Sequence, residues 1–144
     1  MSNIKGIRSD IWYKMKYHQP VDLTTTMEGT GSATAVLLGK QIIVTLVDAE
    51  VDKYVNISTP LGFRVIGAYS IHQDANDFDW QLKNTAGAIS DAVGVAAVDT
   101  DIDKAAKIND AYSTFLRGDD DLRIAITTDA GVAIIVIDIE PTIA

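Results

Sequence analysis

Four side chains with oxygen ligands crowd one short segment, and calcium binding is the first chemistry they suggest. They are Asp74, Asn76, Asp77 and Asp79. A calcium loop of the EF type needs oxygen ligands at alternating positions, glycine at the sixth position and glutamate at the twelfth. Phe78 interrupts the series, and Thr85 stands where the glutamate is required. The segment therefore predicts a solvated turn whose side chains bond to the backbone.

The sequence offers few residues for catalysis by histidine or cysteine. The chain has two histidines, His18 and His72, and no cysteine. A hydrolytic triad places a histidine between a nucleophile and an acid, and no Gly-x-Ser-x-Gly nucleophile elbow occurs. Without cysteine, thiolate zinc sites and disulfides are excluded. We expect no catalytic residue, no cofactor and no metal site, and hence no enzyme.

Length and charge limit the remaining classes of function. The 144 residues fit one domain. A net charge of −8 is the opposite of a nucleic-acid footprint, so we expect no nucleic-acid partner. No run of 18 apolar residues and no signal-peptide pattern occurs, so we expect no membrane partner and synthesis in the cytoplasm.

The N-terminal segment differs from the rest in charge and aromatic content. Residues 1–27 carry four basic and two acidic residues, whereas residues 28–144 carry eight and eighteen. Pro20 and the threonines at 24–26 break any long helical period, which predicts an extended arm and glycine hinge over 1–32 and a sandwich domain over 33–144. Its predicted partner-contact residues are Trp12, Tyr13, Lys14, Lys16, Tyr17 and His18. The alternative is an edge strand folded back on its own core.

Alternating apolar residues predict the strands that must form the body. The clearest sets are Ile42, Val44 and Leu46; Phe63, Val65, Tyr69 and Ile71, with either a bulge or a close backbone approach at Gly67; Phe78, Trp80 and Leu82; and Leu122, Ile124 and Ile126. Seven or eight strands with short turns predict an all-β fold, an antiparallel, jelly-roll-like β-sandwich.

Two C-terminal segments each allow two structural interpretations. Residues 101–117 fit either one helix or a strand followed by a short helical turn near 110–116, and the resemblance described next favours the turn. The strand over 132–139 is apolar on both faces, so it is either central in the sheet or packed against another subunit. Ile135 and Ile137 are the predicted subunit-contact residues.

The order of these segments resembles the decoration, or cement, proteins of bacteriophage capsids. The resemblance lies in residues 63–69, 79–85, 88–92, 104–112 and 118–124 and in the apolar closing strand. It implies a jelly-roll β-sandwich that forms homotrimers on the virion surface, where it binds the major capsid protein and stabilises the head. The resemblance does not include the N-terminal segment.

The resemblance leaves a second class open. Related sandwiches serve as head fibres or tail components, so the alternative is a module that binds a receptor or glycan. Such a module would expose aromatic rings, for which Tyr54, Trp80 and Tyr112 are candidates. If the N-terminal segment is an arm, a chain lacking residues 1–27 is expected to fold and to lose its attachment.

Overall fold

The computed structural model describes residues 9–50, 52–59, 62–72, 78–84, 87–91, 93–95, 102–104, 108, 114–115, 122–126 and 132–141. Within these ranges, one helix precedes eleven strands. They are α1 (Ser9–Lys16), β1 (Val21–Met27), β2 (Ser32–Leu38), β3 (Gln41–Val47), β4 (Tyr54–Ser58), β5 (Phe63–His72), β6 (Phe78–Lys83), β7 (Val93–Val95), β8 (Ile102–Lys104), β9 (Thr114–Phe115), β10 (Leu122–Ile126) and β11 (Val132–Pro141). Eight of the described strands have at least five residues, in agreement with the predicted number.

Every pair of neighbouring strands is antiparallel. The strands form two sheets that share β1. The first sheet has the order β1, β2, β3, β11, β5, with β8 and β9 both paired to β5. The second sheet has the order β1, β4, β10, β6, β7. Residues 21–23 of β1 pair with β2, and residues 24–27 pair with β4, so one strand joins both sheets.

The inner faces of both sheets share one apolar core, and the predicted antiparallel β-sandwich is confirmed. Ile42, Val44 and Leu46 are fully buried in the first sheet, as their alternation predicts. Ile57 and Ile124 fill the same core from the second sheet. Burial of these alternating side chains drives the two sheets together, because each loses most of its contact with water.

A bulge in β5 corrects one part of the predicted strand pattern. Opposite β5, the register of β11 shifts between Asp138 and Ile139, which leaves Ile66 as the extra residue beside Gly67. A bulge was one of the two alternatives predicted at Gly67, but its effect on the alternation was not predicted. Phe63 points into the core, whereas Tyr69 lies half-buried on the outer face. An extra residue reverses the side-chain alternation beyond it, which brings Ser70 into the core.

The extended arm predicted over residues 1–32 is wrong for the described part of that segment. Residues 9–16 form a helix, and β1 pairs with a neighbour on each side, β2 and β4. Ile11 and Met15 are four residues apart, so they lie on one helical face, and both are buried in the core. Pro20 therefore marks the break between α1 and β1. The alternative of an edge strand folded back on its own core is correct in that β1 packs on the core, but β1 is not an edge strand, because it pairs with β2 and β4.

The predicted helical turn near 110–116 is wrong at the two residues that the structure describes there. Thr114 and Phe115 form β9 and pair with Arg64 and Phe63. The remaining residues of that turn lie outside the described ranges.

Candidate contact surface on the N-terminal helix

The short helix α1 is stabilised by charges at its two ends and is held against the sandwich by apolar contact. Asp10 lies in its first turn and Lys14 and Lys16 in its last, where each charge complements the helix dipole. Ile11 and Met15 lie on the inner face of α1 and are buried in the core. Anchored in this way, the helix presents its other side chains from a fixed backbone.

Aromatic rings dominate the outer side of α1. Tyr13 and Tyr17 are 56 % and 55 % exposed, and Trp12 is 38 % exposed. The rings of Tyr13 and Tyr17 meet with centroids 4.7 Å apart at an angle of 50°. The ammonium nitrogen of Lys16 lies 5.6 Å from the centre of the Tyr17 ring, within cation–π range. We call Trp12, Tyr13, Lys16 and Tyr17 the aromatic–basic surface.

His18 has a structural role that the sequence did not reveal. It lies two residues after α1 and has a backbone φ of 53°, in the left-handed region. The amide of Gln19 donates to the carbonyl of Lys14, and the amide of His18 donates to that of Met15, the bonding pattern of a Schellman cap. The imidazole lies so close to Gly39 that a Cβ atom there would sit 2.9 Å from Nδ1. His18 therefore caps the helix and packs on the β2–β3 turn.

The structure places the predicted partner-contact residues on α1 and the two residues that follow it. Lys14 is exposed and points to a cleft between α1 and β1, which also contains Asp10 and Asp22. Trp12 and Lys16 border a smaller cleft against Lys40. The six predicted residues thus lie on α1 and the cap that follows it, rather than on an extended segment.

The predicted subunit-contact residues Ile135 and Ile137 are wrong. Both are fully buried inside the chain, because β11 lies between β3 and β5 and turns these side chains into the core. A side chain without exposed surface has nothing to offer a second copy. The outward residues of the same strand include Val132 and Ile134, which are 50 % and 38 % exposed.

The second sheet carries a polar outer face that the sequence analysis did not single out. A cleft of about 360 Å³ opens there beside Tyr54, Lys83 and Arg123. The signal was present in the sequence, since polar residues alternate with buried ones in β4, β6 and β10. Trp80, named above as a candidate exposed ring, is instead fully buried, and Tyr112 lies outside the described ranges.

Metal-binding groups and membrane-spanning helices are both absent from the described part of the chain. Across the described ranges, no three His, Cys, Asp or Glu side chains are grouped so that they could hold a metal ion. In the same part of the chain, no helix is long and apolar enough to cross a membrane.

Comparisons with known proteins give distant structural likenesses. No protein-family model matches the sequence, and no curated protein matches it. The carbohydrate-binding module CBM36 in complex with calcium and xylotriose is similar with a TM-score of 0.43 and 17 % identity, over 86 % of this chain and 99 % of that one. The enzymatically active domain of bacteriophage CBA120 tailspike protein 4 is similar with a TM-score of 0.35 and 12 % identity, over 99 % of this chain and 21 % of that one. At such TM-scores neither likeness carries an argument about function.

Proposed function

We propose that this chain is a non-enzymatic structural protein of a phage virion, made in the host cytoplasm, which decorates the capsid by binding the major capsid protein through α1. The resemblance of residues 63–139 to decoration proteins supports the class. The observation that supports attachment is the exposed pair Tyr13 and Tyr17 on a helix whose other face is anchored in the core.

The physical case for attachment rests on rigidity and charge. A tyrosine loses little conformational entropy on binding, because it has only two χ angles and presents a large flat ring. Lys16 stands beside the Tyr17 ring on a protein of net charge −8, so this surface differs in sign from most of the molecule. Such a surface favours an acidic patch on the partner and disfavours wrong orientations.

The stabilising effect on the head follows from mass action. A protein that binds the assembled shell more tightly than free shell subunits shifts the equilibrium towards the shell. The shell carries many copies, so each contact can be weak. No reaction is required for this stabilisation.

Replacing both tyrosines, Tyr13→Ala with Tyr17→Ala, is expected to weaken shell binding at least about 30-fold, because an interface tyrosine often contributes about 2 kcal/mol. The melting temperature of the free protein should change little, since both rings are more than half exposed. Binding is measured by co-sedimentation with purified heads. Ile66→Ala, which removes exposed apolar surface from β5, is the matched control and should bind normally. Unchanged binding of the double variant would refute attachment through α1.

The proposal includes self-association into a homotrimer, whose contact we move to the exposed residues of β11. Light scattering during size-exclusion chromatography is expected to give the mass of three chains. Ile134→Asp should reduce it to the mass of one, because Ile134 is 38 % exposed on the outer face and accepts a charge without entering the core. A monomeric unmodified protein would contradict self-association in solution.

A further inference from the structure

The cleft on the second sheet is built from partly buried cationic and polar side chains. It lies where β4, β6 and β10 run side by side, and its rim is tied together by the backbone. The amide of Asp52 donates to the carbonyl of Ile126, and the amide of Ile126 donates to the carbonyl of Lys53. The side chains that line it include Asp52, Lys53, Tyr54, Lys83, Arg123 and Ala125.

Arg123 is held in one orientation at the centre of this cleft. Its Cζ lies 4.6 Å from the centre of the Tyr54 ring, and its Nε donates to Oδ1 of Asn56 at 2.8 Å. The side chain is half-buried. No carboxylate in the described part of the chain pairs with it, so its two Nη groups are left to donate to a ligand. A guanidinium fixed in this way is suited to bidentate recognition of a carboxylate.

Lys83 adds a second positive charge beside Arg123. The two residues are directly paired between β6 and β10, so their side chains lie on the same face. Lys83 is half-buried and, within the described ranges, makes no ion pair. The neighbouring Lys53 is neutralised by Glu28 at 3.5 Å. The unpaired charges therefore belong to Arg123 and Lys83, whereas the acidic Asp52 is exposed at the rim.

Polar side chains that can bond to hydroxyl groups extend the row of Arg123 and Lys83 across the sheet. Strand register places Thr26, Asn56, Arg123 and Lys83 in one row over four neighbouring strands. Three interstrand spacings give the row a length of about 14 Å. Ala125 is the one aliphatic side chain among the described outward residues of β4, β6 and β10. An elongated ligand with many hydroxyl groups fits this face better than an apolar peptide.

We infer that this cleft binds an acidic oligosaccharide, whose carboxylate pairs with Arg123 and Lys83 and whose hydroxyls bond to the polar row from Asn56 to Thr26. The inference goes beyond attachment through α1 and is independent of it. Ile11 and Lys14 of α1 lie by Ser58 and Thr59, at the end of β4 opposite to Tyr54. A protein held on a shell by α1 would therefore keep this cleft at the other end of the strand.

The first experiment is binding of the full chain to an array of oligosaccharides that contain uronic acid, sialic acid or only neutral sugars. A glutamate-rich peptide is included because it offers carboxylates without a sugar. We expect binding to acidic oligosaccharides only. Titration calorimetry with the best of them and its methyl ester should show at least a tenfold loss when the carboxylate is neutralised. Equal binding of acid and ester, binding of the peptide alone, or no binding at all would each overturn the inference.

Variants then place the ligand in the cleft. Lys83→Gln removes a charge that makes no ion pair within the described ranges, so it should fold normally and weaken binding of the acidic oligosaccharide about tenfold, as expected for one charge-assisted bond. Arg123→Gln should weaken it more, although it also loses the contact with Tyr54. Arg64→Gln is the matched control, because Arg64 is an exposed cation paired with Glu140 on the other sheet. An equal loss in Arg64→Gln and Lys83→Gln would show nonspecific charge attraction instead.

These assays test the two proposals independently, because each variant is expected to lose only one of the two binding activities. Lys83→Gln is expected to bind phage heads as the unmodified protein does, and the α1 tyrosine variant is expected to bind the oligosaccharide normally. Loss of head binding in Lys83→Gln would mean that the cleft recognises the shell and would overturn the saccharide assignment.

Discussion

A chain that begins at Glu28 is expected to be unfolded, because it lacks the strand that joins the two sheets. β1 is hydrogen-bonded to β2 along one part and to β4 along the other. Its removal exposes the edges of both neighbours and removes the buried Leu23, together with Ile11 and Met15 from α1. Loss of one such core side chain typically costs about 2–5 kcal/mol. Three of them together reach the whole stability of an ordinary domain, about 5–15 kcal/mol.

Circular dichroism and heteronuclear NMR of residues 28–144 provide the measurement, and the expected result is a spectrum without dispersed amide signals. A chain that begins at Ser9 is the control, since it keeps α1 and β1 complete. A cooperative thermal transition in the shorter chain would contradict the expectation and restore the view of residues 1–27 as a dispensable arm.

The failure to predict this from the sequence has a physical reason. The threonines at 24–26 are typical of a strand, but a strand is fixed by its partners, and those of β1 are Val36 and Ala35 on one side and Ile57 on the other. Nothing local in residues 1–32 specifies such pairing. The buried pair Ile11 and Met15 did carry a helical signal, but it covers only two turns and was outweighed by Pro20.

Strands with a strict alternation were predictable, and the faces beyond an irregularity were not. Ile42, Val44 and Leu46 could be assigned to the core because one face of a half-buried strand is uniformly apolar. In β5, the bulge beside Gly67 shifts the pattern by one residue, so that Ser70 rather than Tyr69 faces inward. A serine at a core position has no sequence signal, because its partner lies on the opposite sheet.

The polar cleft was missed for a related reason. Tyr54, Lys83 and Arg123 are separated by up to 69 positions in the sequence, and only the pairing of β4, β6 and β10 brings them to one face. Their alternation with buried residues predicts exposure, and exposure alone does not indicate a site. The aromatic and basic residues of α1 could be grouped from the sequence because they are nearly consecutive, and their contact with a partner stays a prediction.

The hydrogen bond between Trp80 and Ser70 is expected to be the most sensitive single contact in the core. Trp80 Nε1 donates to Ser70 Oγ at 2.8 Å, and both side chains are fully buried. The bond connects β6 of the second sheet to β5 of the first, so it fixes the sheets relative to each other. Trp80→Ala should cost about 3–5 kcal/mol through the cavity alone, which lowers the melting temperature by about 10 °C or more.

A double-mutant cycle separates the bond from the packing. Ser70→Ala leaves the indole N–H buried without its partner and should cost about 1–3 kcal/mol. Trp80→Phe leaves the serine hydroxyl without its partner and also loses ring volume. The double variant, Trp80→Phe with Ser70→Ala, should cost less than the sum of the two, because neither orphaned polar group remains. Urea unfolding measures each free energy, and Ser32→Ala, at an exposed serine of β2, is the control with an expected change within about 0.5 kcal/mol. Strict additivity would mean that the bond contributes no coupling between the sheets, and the cohesion of the sandwich would then rest on apolar burial alone.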